Sequence, residues 1–267
     1  MKKEINVWEG IYSNIQEAAS RARQLEISKR VSPNDHAKSF EQERWVQHQL
    51  KEADRLQQGD YRSGASRGIL KEVLAGYVAR RDGSLSVIDF GGGLALEFFR
   101  LKGGGLPTQN LSFCVIETPT ICRTGRVFFR TEPRVHFRST LPKDNRRVDV
   151  FHAANSLHYV IDWKGFLTRV SRLQPNLIVL AGITAGPIPT FGSLQSYYGN
   201  WLPVWFWNQD EFVSFIEGLG YECVLRAKAE ARYFGRVRDL PMSKFPRTHR
   251  LQRKCDLVFK RRIGRLR

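Results

Sequence analysis

From Ser84 onward the chain alternates short apolar runs with helix-like ones, and this alternation restricts the possible folds more than any other feature. The apolar runs, rich in β-branched and aromatic residues, are 85–90, 111–117, 135–138, 148–153, 176–182, 221–227 and 255–261. Segments with helical composition lie between them at 94–101, 119–129, 163–173 and 209–219. Strands that are apolar along their whole length must be covered on both faces, and intervening helices supply that cover. The expectation is an α/β fold with a mainly parallel, seven-stranded, doubly wound sheet. The last two strand runs follow each other with no clear helix between them. They predict a hairpin-like ending with an antiparallel edge strand.

Residues 16–81 read differently. They lack strong β runs, and 16–24, 40–57 and 65–80 have helical composition, punctuated by SPND at Ser32 and QQGDYRSG at Gln57. The division expected is an N-terminal helical cap region, 1–82, and an α/β domain, 83–267. With 267 residues and 42% hydrophobic content, one large domain with an extension can build a core. The opening MKKEINVWEG has no apolar stretch of the signal-peptide kind, and the longest apolar run, Leu177–Ile183, is too short to cross a bilayer. Cys114, Cys122, Cys223 and Cys255 show no C-x-x-C spacing, and three of them sit in strand-like runs, as reduced core thiols do. A soluble cytoplasmic protein with no membrane span is expected.

The net charge is +17, with a pI of about 10.1, which points to an anionic partner without naming one. From Pro241 to Arg267 there are ten Lys or Arg against one acid, Asp256. Nucleic acid, a phosphorylated small molecule and an anionic membrane surface all fit. So does a solvated basic tail beside a strand edge guarded by cations.

The stretch VIDFGGGLALEFF, Val87 to Phe99, places an acid and three glycines at the end of the first strand. Glycines there allow positive φ and close approach to the backbone, and the helix that follows offers free N–H groups. Leu96 stands where a dinucleotide-binding loop needs a third small residue, which argues against a nicotinamide nucleotide. Asp89, two residues before Gly91, would repel a pyrophosphate but suit a cation. Glu117 ends the second strand, LSFCVIE, where a carboxylate can accept both hydroxyls of a ribose.

A cationic nucleoside without phosphate matches these three features, and S-adenosylmethionine is such a molecule. Here the chain resembles the class I S-adenosylmethionine-dependent methyltransferases, whose loop reads acid-x-Gly-x-Gly-x-Gly; Ala95 takes the last glycine position. WEGIYSNIQEA, VIDFGGGLA, CVIETP, ANSLHYV, PVWFWNQDEF and LGY together resemble a family of bacterial methyltransferases often encoded among surface-polysaccharide and secondary-metabolite genes. The resemblance runs from about Trp8 to Phe234. It implies a Rossmann-like class I fold, S-adenosylmethionine as donor with S-adenosylhomocysteine as product, and a small polar acceptor; from the residues themselves no metal is expected. Carried over by position, Asp89, Gly91 and Gly93, with Phe90 and Gly92 of the same loop, would shape the amino-acid end of the cofactor pocket. Glu117 would hold the ribose, Thr118 and Pro119 would flank the adenine, and Ser139 and Thr140 would reach its amino group. Asn155 and Ser156 would stand where the methionine part and the acceptor meet.

Transfer of a methyl group to a hydroxyl needs in-line positioning and usually a base. His158, just after the fourth strand, is the candidate base, with Tyr159 beside it; a histidine there can equally cap a helix or satisfy a loop carbonyl. Residues 184–208 read as a long aromatic lid loop over the same rim. Its candidate acceptor contacts are Gln195, Tyr197, Tyr198, Trp205 and Asn208, with Trp8 and Tyr12 reaching in from the N-terminus. The tryptophans can also simply pack the loop, and Asn208 can cap the next helix. The six histidines show no paired metal-ligand spacing. A nucleic-acid methyltransferase using the basic C-terminus and a catalytically inactive scaffold are the competing readings. The partner expected first is a small, anionic acceptor, and a homodimer is compatible with the sequence.

Overall fold

The structure, a computed structural model, describes residues 7–28, 39–61, 69–78, 84–143, 148–229, 232–233, 236–237 and 239–262. Both ends of the helix expected over 65–80, the 82/83 boundary and residues 263–267 of the basic tail lie outside the described residues.

The chain opens with β1 (Trp8–Tyr12), α1 (Ile15–Ser28), α2 (Glu43–Gln57) and α3 (Leu70–Val78). Then come β2 (Leu85–Phe90), α4 (Leu96–Gly103), β3 (Leu111–Ile116), α5 (Pro119–Phe128), β4 (Val135–Arg138), β5 (Val150–Ala154), α6 (Trp163–Arg172) and β6 (Leu177–Ile183). Three strands follow, β7 (Ala185–Gly186), β8 (Phe191–Tyr197) and β9 (Asn200–Asn208), and then α7 (Gln209–Gly218). The chain finishes with β10 (Tyr221–Lys228), the two-residue strands β11 (Arg232–Tyr233) and β12 (Arg236–Val237), and β13 (Cys255–Arg261).

The main sheet has seven strands in the order β10-β13-β6-β5-β2-β3-β4. Strands β2 to β6 pair in parallel, while β13 runs antiparallel to both of its neighbours. The antiparallel strand expected at the edge is therefore inserted one place inside it. Strand β13 is buried over its first five residues, whereas β10 is mostly exposed, Val224 and Leu225 included. The more apolar of the two terminal strands takes the inner position, where both of its faces are covered.

Helices cover both faces. On one, α2, α3, α4 and α5 pack Leu56, Leu74, Phe98 and Ile121 against Val87, Phe113 and Val115. On the other, α6 and α7 pack Trp163, Phe166 and Phe212 against Phe151, Ile178 and Leu257.

The segment 184–208, read as a loop, instead forms most of a second sheet with the order β1-β8-β9-β7. Two sequence features hid these strands. Pro203 lies inside β9, and Pro argues against a central strand; here β7 pairs only with Trp207 and Asn208, so that side of β9 is open at Pro203. The turn is Tyr198-Gly199, both with positive φ, rather than the Asn-Gly that announces a two-residue hairpin. The N-terminal region is correspondingly not all helical. Its first strand, β1, completes this second sheet by pairing antiparallel with β8, and α1 packs Ala18 and Ala22 on Leu194.

Trp8 anchors this layer. It is 4% exposed, sits edge-to-face on Phe206 at 5.7 Å, and shares a core with Phe191, Val204, Met242, Phe245 and Leu251. Trp8→Ala should destabilise the protein by about 3–5 kcal/mol, measured by urea unfolding. A loss below about 1 kcal/mol would mean that β1 is not held by this core.

Candidate functional site

The chain leaves β2 toward β3 on one side, while β5 lies on the other, so the C-terminal ends of β2 and β5 form a topological switch point. The glycine loop sits there. Gly91 and Gly93 have φ of +69° and +58°, and Ala95, the N-cap of α4, has +51°. Ala95 thus adopts the left-handed backbone that a glycine in its place would adopt at less cost.

The loop is bare because the protein's own side chains press on it. A Cβ on Gly91 would strike Ser156, one on Gly92 the Asp89 carboxylate, and one on Gly93 the amide of Gln49. The run of glycines therefore does not by itself require a ligand. Gln49, buried on α2, accepts a hydrogen bond from Leu94 N–H at 3.3 Å, and Ser156 Oγ donates to Phe90 O at 2.7 Å. Asp89 is 1% exposed and lies beneath the loop. Its Oδ1 stands 2.7 Å from Nδ1 of the equally buried His152, its parallel neighbour in β5, while its Oδ2 has no described partner.

The charge around the loop is negative. Glu117, at the end of β3, accepts Gly93 N–H at 3.1 Å and Thr118 N–H at 2.8 Å. Burial pushes its pKa up; the two N–H groups work against that, and Asp89 and Glu41 reinforce it. Glu41 accepts Thr120 N–H at 3.3 Å. The Thr118 hydroxyl beside Glu117 is buried with no described partner. Half-buried acids next to an unsatisfied hydroxyl suit a ligand with hydroxyls and positive charge, and not a phosphate.

Aromatic rings stand next to this acidic end. Phe40 and Trp45, just before and within α2, meet Tyr197 at 5.4 and 5.8 Å; Phe40 also meets Tyr159 at 5.1 Å. Tyr198 packs on Tyr197 and Trp45, with Arg44 over its ring. Tyr159 OH donates to Gln195 Oε1 at 3.0 Å. The field of Glu117 reaches Tyr197, whose pKa is raised mainly by burial. The structure thus brings Tyr159, Gln195, Tyr197 and Tyr198 together near Glu117.

Other expected site residues are engaged elsewhere. Trp8 is in the core of the second sheet. Tyr12 packs with Trp201 against Leu194 and α1. Trp205 Nε1 donates to Ile161 O at 3.2 Å, and Asn208 caps α7 by accepting Asp210 and Glu211 N–H. Ser139 and Thr140 are exposed beyond β4, and Pro119 is exposed in the first turn of α5. His158 lies in a short 3-10 turn (Leu157–Tyr159), 2% exposed, with Nδ1 unpartnered. Burial first, and then the charge of Lys254, lower its pKa well below the usual value, so His158 is neutral. Phe40, Glu41, Trp45, Gln49 and His152 were not anticipated. The first four come from a helical segment whose contacts span the chain, and His152 lies within an apolar run that reads as plain core.

No family model matches the chain, and no curated protein sequence does either. Solved structures do. A chain from the complex between the Haloferax volcanii Trm112 methyltransferase activator and a methyltransferase superimposes with a TM-score of 0.53 at 13% identity, covering 87% of this chain and 100% of that one. A candidate S-adenosylmethionine-dependent methyltransferase from Listeria monocytogenes gives 0.51 at 10% identity, over 72% of this chain and 99% of that one. The 1,6-didemethyltoxoflavin-N1-methyltransferase of Burkholderia thailandensis, solved with 1,6-didemethyltoxoflavin and S-adenosylhomocysteine, gives 0.50 at 11% identity, over 87% and 93%. The chain has the methyltransferase fold. At these identities the likeness is one of fold alone.

The pair beneath the loop sets a pH dependence. Burial opposes the charged form of His152, but the Asp89 carboxylate, its hydrogen bond, and then Glu97 and Asp256 outweigh it, so the pKa is raised above 6.5. The stabilisation is therefore complete below the unfolded value and is lost as pH rises through the folded one. The gap in thermal midpoint between the wild-type chain and His152→Gln should be widest near about pH 6 and narrow toward about pH 9. A gap that widens with pH would contradict a protonated His152.

Proposed function

We propose that the chain is an S-adenosylmethionine-dependent methyltransferase acting on a small polar acceptor: a hydroxyl or amine on a sugar, a nucleotide-linked sugar or a secondary metabolite. The observation that carries this reading is the acidic end of the glycine loop. In a chain of net charge +17, Glu117 and Glu41 gather where the loop opens, with Asp89 beneath it. A pyrophosphate would meet repulsion there, whereas a sulfonium and a ribose would meet attraction. The sequence resemblance and the shared fold support the same reading.

Glu117 would accept the ribose hydroxyls, with the Thr118 hydroxyl beside it as a further polar contact. The Gly91–Gly93 backbone, braced from below by Asp89 and from above by Gln49, would hold the amino-acid end. When bound, S-adenosylmethionine supplies an electrophilic methyl group on sulfur. Tyr159, Gln195, Tyr197 and Tyr198 would orient the acceptor, with Phe40 and Trp45 excluding water as a cap. His158 is neutral and able to take a proton, but its lowered pKa makes it a weak base. Positioning then carries most of the rate.

Calorimetric titration with S-adenosylmethionine and S-adenosylhomocysteine tests this. Both should bind, and Glu117→Gln should weaken binding about tenfold or more, as loss of charge-assisted hydrogen bonds worth about 1.5–3 kcal/mol requires. Absence of binding by the folded wild-type chain would overturn the proposal and favour a scaffold role.

A further inference from the structure

The acidic end of the loop has a counterpart of opposite sign on the same rim. Because β13 runs antiparallel, it starts where the parallel strands end: Cys255 pairs with Ile183, the last residue of β6. Lys254, just before it, is thereby carried to the rim, and its Nζ donates to Asn155 Oδ1 at 2.9 Å. Asn155 is firmly held. It has φ +52°, its N–H donates to Ala181 O at 2.9 Å, and its side chain fills the space a Cβ on Gly182 would need.

Lys254 has no counter-ion among the described residues. The acid next to it, Asp256, accepts Gly182 N–H at 2.7 Å, and no carboxylate of the described residues lies within ion-pair distance of Nζ. An ammonium has three donors, and the one described acceptor is a neutral amide oxygen. Burial alone pushes the pKa of Lys254 down to about 8, with no charged group contributing. At neutral pH the amine is still mostly charged.

His158 gives a second sign. It is buried, its Nδ1 has no described partner, and the charge of Lys254 acts on it. Three neighbouring arginines are engaged within the chain. Arg250 donates to Phe245 O and Ser243 O, Arg253 pairs with Asp239, and Arg261 donates to Gln174 and Asn176. A cation without its counter-charge beside an unsatisfied buried nitrogen is a binding arrangement for an anion, since leaving both unpaired is costly.

Building on the methyltransferase reading, we propose that Lys254, held by Asn155 beside His158, binds a carboxylate or phosphate carried by the acceptor. The two charged ends of the rim then serve different ligands, the acids around Glu117 taking the cationic donor and Lys254 the anionic acceptor. The positive charge of the whole chain would speed the approach of such an acceptor.

The test is NMR titration of the full chain labelled with 13C at lysine Cε, the Lys254 resonance being assigned with Lys254→Arg, which keeps the charge. Inorganic phosphate and acetate are the probes, with chloride at equal ionic strength as control. The Lys254 midpoint should lie below those of the surface lysines and rise by about half a unit or more with one of the probes. The probe that moves it more identifies phosphate or carboxylate as the acceptor group. A midpoint among the surface lysines, or one unmoved by both anions, would overturn the proposal. Binding of S-adenosylhomocysteine to the wild-type chain is measured alongside. Cofactor binding without an anion response sinks this inference alone, and an anion response without cofactor binding sinks the methyltransferase reading while leaving an anion site.

Discussion

The contact on which the candidate site rests is the buried pair Asp89–His152. The two residues are register neighbours in the parallel strands β2 and β5, and each is 1% exposed. A carboxylate so deep needs a polar partner, and the His152 ring supplies one at 2.7 Å. Its second oxygen then lies under Gly92, where any side chain would collide with it. The pair therefore couples two things: the side-by-side register of the central strands and the course of the glycine loop. Removing Asp89 would take away the floor of the loop rather than a direct ligand contact.

From that floor the site is built upward by segments far apart in sequence. Helix α2 brings Gln49 onto the loop and Trp45 toward the β8–β9 hairpin, whose Tyr197 and Tyr198 meet it. The N-terminal strand and helix pack on the same hairpin through β1–β8 pairing and the Ala18–Leu194 contact. The N-terminal region and the insertion after β6 thus form one layer over the rim, although about 150 residues separate them in the sequence. Charge is sorted across this rim, with carboxylates at the ends of β2 and β3 and an amine at the start of β13.

The main sheet was readable because its strands are apolar throughout. The runs 85–90, 135–138 and 255–261 match β2, β4 and β13 residue for residue, and the intervening helices appear where their composition placed them. Glu117 and the glycine loop were readable for a related reason: polar residues at the end of an apolar strand stand out. The second sheet was not. Strands β8 and β9 mix aromatics with Gln, Asn and Pro, and their turn lacks the usual residues. Trp8, Trp205 and Asn208 show the limit of reading residue type. An aromatic or amide suits a ligand contact, a core position and a helix cap alike, and only the neighbours decide which it is.

The sequence by itself determined the α/β class, the position of the loop at the end of the first parallel strand, and the acids that flank it. These follow from local periodicity and from strand ends, which are properties of adjacent residues. The tertiary structure alone decided the rest: that β13 slips between β6 and β10, that His152 pairs with Asp89, that Gln49 and Ser156 close on the glycines, and that Lys254 reaches Asn155. The four side-chain contacts join residues from about 40 to 100 positions apart. Such contacts arise only from how whole elements pack, because the packing free energy of a sheet and its covering helices outweighs what any short segment prefers on its own.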